Sequence, residues 1–150
     1  MYPAIWKAKM DGNTPEIFVS DRLEWPTGLA LDLPANRLYW ADTKQRIICA
    51  IGLDGTGRST IFTGNVKSGI EHPFSISVFE DYVYGLTWRS RKLFKVNKFG
   101  TGNAVIMKRN LKVPASSNLI IAQEQRQVIP KGMLRYIILL IQCNGIDCES

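Results

Sequence analysis

The feature that most constrains how this 150-residue chain folds is that it repeats itself. Trp25-Pro26-Thr27-Gly28-Leu29-Ala30-Leu31 is answered 47 residues later by His72-Pro73-Phe74-Ser75-Ile76-Ser77-Val78. Leu38-Tyr39-Trp40-Ala41-Asp42 is answered at an offset of 45 by the run Tyr82 to Thr87, and Ile48 through Gly57 by Leu93 through Gly102 at the same offset. Looking backwards, Ile5 and Gly12 stand 43 residues before Ile48 and Gly55. Each unit contains short runs of alternating or β-branched residues bounded by turn chemistry, without helical periodicity. A period of about 43 to 47 residues with four strands per unit is the signature of a propeller blade.

Strands are expected over 4–10, 15–19, 29–32, 37–42, 47–51 and 59–63, then over 72–78, 82–87 and 93–97, with the first strand of another unit at 118–121. Gly12, Gly55 and Gly100 fall at matching places, each expected in the turn between a blade's last two strands, where a positive φ is needed.

Three sub-motifs stand in order within one unit: Trp25-Pro26-x-Gly28-Leu29-x-Leu31-Asp32, Arg37-Leu38-Tyr39-Trp40-Ala41-Asp42, and Leu53-Asp54-Gly55-Thr56. Together they resemble the YWTD, or class B, repeat of the low-density lipoprotein receptor family. The second unit departs from the pattern, reading Tyr84-Gly85-Leu86-Thr87, yet Phe79 through Gly85 resembles the corresponding stretch of the large endocytic receptors. The resemblance covers roughly residues 3 to 125. It implies an all-β fold, a six-bladed extracellular β-propeller flanked by EGF-like modules, of which this chain holds about two and a half four-stranded blades. The expected organisation is a partial propeller over 1–127, with repeats near 3–24, 25–71, 72–112 and 113–127, and a divergent tail over 128–150.

That tail fits neither the repeat nor an EGF-like module, although Cys143 and Cys148 have a spacing such a module could begin with. Its run Tyr136 to Ile141 is β-prone and uncharged, an aggregation hazard unless covered. Three cysteines define no disulfide framework, and Cys49 reads as a small buried hydrophobe. The start Met1-Tyr2-Pro3 shows no signal peptide, and the longest apolar run is far short of the roughly 20 residues of a membrane-spanning helix. The chain is therefore expected to be a piece of something longer, lacking its own anchor. A net charge of +6 suits an acidic partner, but the bases are scattered, and solvated basic faces are the plainer explanation.

In a propeller meander the loops leading into each first strand share a face with those joining the second and third. Here these are 21–26, 43–46, 65–73 and 88–91, which present Arg22, Lys44, Arg46, Lys67, Arg89 and Arg91 with Trp25, His72 and Trp88. This is the candidate ligand-binding face. The resemblance implies that it engages protein ligands, including the receptor's own acidic ligand-binding repeats. Trp25 serves equally well as a packing residue beside Pro26. His72, the sole histidine, reads as a solvated loop residue, with an acid-triggered release switch as the sharper alternative. Tyr39, Trp40, Ala41 and Asp42 are expected to build the blade, the aromatics packing between sheets and the carboxylate accepting hydrogen bonds.

No catalytic, cofactor-binding or metal-binding set assembles. One histidine without a serine or cysteine elbow makes no triad, and the Gly55-x-Gly57 and Gly100-x-Gly102 turns open no helix to cradle phosphate. Asp32 is the one carboxylate that could be offered to a channel metal, which leaves a propeller-type metal-dependent hydrolase as the alternative from the enzyme class. A truncated isoform without independent function is the third. Charge alone would allow nucleic-acid binding, but no nucleic-acid module is recognisable.

Overall fold

The computed structural model describes residues 2–9, 11–114 and 117–121, and the backbone of 137–140. Twelve strands are described, all paired antiparallel: β1 Ile5–Lys7, β2 Glu16–Val19, β3 Pro26–Asp32, β4 Arg37–Asp42, β5 Ile47–Gly52, β6 Ser59–Thr63, β7 Pro73–Phe79, β8 Tyr82–Thr87, β9 Leu93–Asn97, β10 Val105–Lys108, β11 Asn118–Ile121 and β12 Ile137–Leu140. They form two four-stranded meanders, β3-β4-β5-β6 and β7-β8-β9-β10, and two two-stranded sheets, β1-β2 and β11-β12. These are blades of a YWTD-type propeller, and the chain is all-β. The first strand is shorter than expected, and β10 and β12 are additions to the expected set. Apart from 137–140, which pairs with β11, the segment 128–150 lies outside the described residues, as do Cys143 and Cys148.

Strand alternation explains how the sheets stack. Along β4, Leu38 and Trp40 face the β1-β2 sheet, joining Ile5, Val19 and Leu23 in one core. Tyr39 and Ala41, pointing the other way, join Ile48, Ala50, Ile76, Val83 and Phe94 in a second core between the two complete blades. Burying a side chain of this size is worth about 2 kcal/mol, so each interface between blades, rather than any isolated sheet, holds the fold. Gly12, Gly55 and Gly100 have φ of 79°, 85° and 77°, and each sits in the turn between two outer strands of its sheet as expected.

The second blade's departure from the motif has a packing explanation. Trp40 opposes Cys49 across β4 and β5, and at the equivalent place Gly85 opposes Phe94 across β8 and β9. The bulky member has moved to the neighbouring strand. A Cβ on Gly85 would lie 2.3 Å from Phe94 Cζ, so only glycine leaves room for the ring.

Between the complete blades, polar ties complement the apolar core. The hydroxyls of Thr27 and Thr43 donate to the carbonyls of Phe74 and Pro73, each at 2.8 Å. At the opposite end of the strands, Lys98 Nζ lies 2.9 Å from Asp32 Oδ2, the two side chains being 11% and 6% exposed. Asp32, offered above as a metal ligand, is thus ion-paired, and it also accepts from the Ala35 amide. Among the described residues, no group of three or more histidine, cysteine or acidic side chains could hold a metal ion, and no helix is long and apolar enough to cross a membrane.

Candidate functional site

The loop face is built on Asp42. Its carboxylate is fully buried and accepts from the amides of Glu24, Trp25 and Gln45 and from Gln45 Nε2, at 2.7 to 3.1 Å. A buried carboxylate is tolerated because every oxygen has donors. The consequence is that the loop before β3 and the loop after β4 are tied to one atom group. The Thr43 amide adds a bond to the Trp25 carbonyl at 3.0 Å, and the equivalent Trp88 amide bonds the His72 carbonyl at 2.9 Å.

These ties bring Trp25 and Trp88 together edge to face, with ring centroids 4.9 Å apart, although they belong to different blades. Trp25 remains 42% exposed. The Arg89 guanidinium lies over the Trp88 ring at 4.9 Å. The result is an aromatic ledge of an exposed Trp25 and a half-buried Trp88 with a cation on it, bridging two blades. His72 Nδ1 donates to the Thr43 carbonyl at 3.1 Å, which makes it part of the seam between loops rather than a freely solvated ring.

The other bases expected on this face are exposed and differently engaged. Lys44 pairs with Glu24 at 2.8 Å and Arg22 with Asp21 at 3.1 Å. Hydrogen bonding to Glu24 holds the Lys44 ammonium above the ordinary lysine range. Hydrogen bonding to Arg22, aided by the charge of Arg58, holds the Asp21 carboxyl below the usual carboxylate range. Arg46, Arg91 and Arg22 adopt φ of 63°, 47° and 49°, the left-handed turn geometry, and all three are exposed. Lys67 lies in the loop leading to β7 and is exposed. The structure thus joins Trp25, His72, Trp88 and Arg89 in one cluster, with Lys44, Arg22, Arg46, Lys67 and Arg91 on the flanking loops.

Sequence reasoning missed Arg58. Its guanidinium reaches the carbonyls of Asp21 and Arg22 and Asp21 Oδ1, at 2.8 to 3.1 Å, and covers the Trp40 ring at 5.0 Å. A small cavity of about 170 Å³ opens beside it, lined by Arg22, Gln45, Ile47, Cys49, Ser59 and Thr60. Burial pushes the Cys49 thiol up, so it is a packed hydrophobe rather than a reactive group. Only the tertiary fold brings Arg58 to Asp21, 37 positions away.

Face-packed four-stranded meanders, with the buried carboxylate of a Tyr-Trp-Ala-Asp strand fastening their loops, define a β-propeller protein of the YWTD type. Residues 36–80 match the family described as low-density lipoprotein receptor repeat class B, and the chain belongs to the low-density lipoprotein receptor family. Among its relatives are the vitellogenin receptor Yl of Drosophila melanogaster, 39% identical over 65% of this chain, and the vitellogenin receptor of Solenopsis invicta, 37% identical over 79%. A low-density lipoprotein receptor-related protein 5-like protein of Homo sapiens is 34% identical over 70% of the chain. The chain spans 5%, 6% and 40% of the lengths of these three relatives.

Proposed function

We propose that this chain is a non-catalytic, extracellular or lumenal module of an endocytic receptor that binds and releases protein ligands through its loop face. The observation that carries the proposal is the ledge of Trp25 and Trp88 topped by Arg89. Rigid aromatics and arginine are the residue types that dominate protein interfaces, and here Trp25 and Arg89 are exposed beside a half-buried Trp88. Arg22, Lys44, Arg46, Lys67 and Arg91 around the ledge favour an acidic partner, such as the acidic ligand-binding repeats of a receptor of this family. Receptor relatives support a binding role over the hydrolase alternative, and the ion pairing of Asp32 with Lys98 adds to that.

The test is binding of an acidic ligand-binding repeat, measured by calorimetry at two salt concentrations. Combined Arg46→Glu and Arg89→Glu substitution is expected to weaken binding by about tenfold or more and to flatten its salt dependence. Unchanged affinity would mean that the face is wrongly assigned.

A further inference from the structure

The fold gathers the chain's excess positive charge at one end of the second blade, where three segments meet: the connection 65–73, the loop 88–92 between β8 and β9, and the stretch 108–112 that ends β10. Lys92 Nζ donates to the Gly69 carbonyl at 2.6 Å, and a Cβ built on Gly69 would lie 3.7 Å from Lys92 Nζ and 4.0 Å from Arg109 Nη1. Both cations therefore reach the turn that carries Lys67. The Leu111 amide donates to the Arg91 carbonyl at 3.0 Å, which sets Lys112 close to Arg91 along the chain. Lys108 opposes Leu93 at the same end of β9 and β10, and Arg89 lies over the Trp88 ring.

These three segments hold seven cations against the single acid Glu71, a net +6. The whole chain, with 19 basic and 13 acidic residues, also has a net charge of +6, so everything outside them balances. Neutralisation follows the same division. Among the described residues, ion pairs join Lys7, Arg22, Lys44, Arg58 and Lys98 to carboxylates, and none uses a cation of these segments. Lys67, Arg89, Arg91, Lys108, Arg109 and Lys112 are all exposed.

We propose that this end of the second blade binds a sulfated polysaccharide. Like charges held together without counter-charges build a positive potential, and each exposed contact is worth only up to about 1 kcal/mol, so the partner they fit is one that repeats its anionic group. Lysine, which supplies three of the six exposed cations, is depleted from the cores of protein interfaces, and that disfavours an acidic protein here. A single-stranded nucleic acid needs aromatic faces for its bases. Trp88 is the one tryptophan, tyrosine or phenylalanine in 65–70, 88–92 and 108–112, and Trp25 and Arg89 already pack on it. The choice of a glycan among polyanions rests on the extracellular or lumenal placement proposed above, whereas Lys108, Arg109 and Lys112 lie outside the set assigned to the tryptophan ledge.

The test is calorimetric titration of the 150-residue chain with a heparin dodecasaccharide. Combined Lys108→Gln, Arg109→Gln and Lys112→Gln substitution should raise Kd by about tenfold or more with an unchanged thermal melt. It should also flatten the slope of log Kd against log salt by about 2, roughly 0.7 for each cation removed, as for single-stranded polyanions. Combined Lys7→Gln, Lys9→Gln and Lys95→Gln substitution, which removes the same charge elsewhere, should leave Kd within about twofold. Fully desulfated polymer and a single-stranded oligonucleotide of equal length should each bind the parent chain about tenfold more weakly or worse. No binding of the dodecasaccharide, equal losses in the two triple variants, or equal affinity for the desulfated polymer or the oligonucleotide would each overturn the proposal. The Lys108, Arg109 and Lys112 variant should keep its affinity for an acidic ligand-binding repeat, so failure with heparin leaves the ledge assignment standing. Loss of that repeat with heparin binding intact would make the cluster a protein contact and overturn the glycan proposal.

Discussion

At position 85 the absence of a side chain makes room for the Phe94 ring. Gly85→Ala places a methyl against the Phe94 ring and is expected to cost about 2 kcal/mol, read as a lowered urea midpoint with an unchanged slope. Gly85→Trp alone should prevent folding of that blade. Combined with Phe94→Cys, it recreates the Trp40 and Cys49 arrangement of the first blade and should restore a cooperative melt, with a coupling energy on the order of 3 kcal/mol in a double-mutant cycle. Asp42 is the second decisive residue. Asp42→Ala leaves three part-buried amides without their acceptor and is expected to cost about 3 kcal/mol, and it should also loosen Trp25 from Trp88, visible as a red shift of tryptophan emission.

Between elements, stability resides in the seam joining the two complete blades. Thr43→Val keeps the shape but leaves the Pro73 carbonyl unpaired, and should cost about 1 to 2 kcal/mol. The strands were legible in the sequence where turn chemistry brackets them on both sides: Arg37–Asp42, Ser59–Thr63, Tyr82–Thr87 and Asn118–Ile121 have the expected limits. Strand Val105–Lys108 escaped detection because only Ile106 of its residues packs inward and a bulge interrupts its register, leaving no alternation to read. The site was legible as a set of loops, since meander topology alone places them on one side. Its central contact was not, because Trp25 meets Trp88 only when two blades dock, and no local pattern encodes that distance. Arg58 was hidden for the same reason.

For the whole molecule, the buried pair of Lys98 and Asp32 predicts an alkaline limit. The hydrogen bond to Asp32 holds the Lys98 ammonium above the ordinary lysine value of 10.5, so its contribution is complete below that value and is lost as pH rises through the folded-state value. Urea melts at about pH 8 and about pH 11 should show the parent chain losing more stability than Lys98→Met between them. The same pair has a second consequence when taken with the threonine bonds at the opposite end of the strands. Pinned at both ends, the two complete blades are denied the hinge motion that a single row of ties would permit. A ligand reaching the tryptophan ledge would therefore meet a preformed surface, and its association in stopped flow should follow one exponential whose rate climbs linearly with concentration, without the plateau that a slow rearrangement imposes.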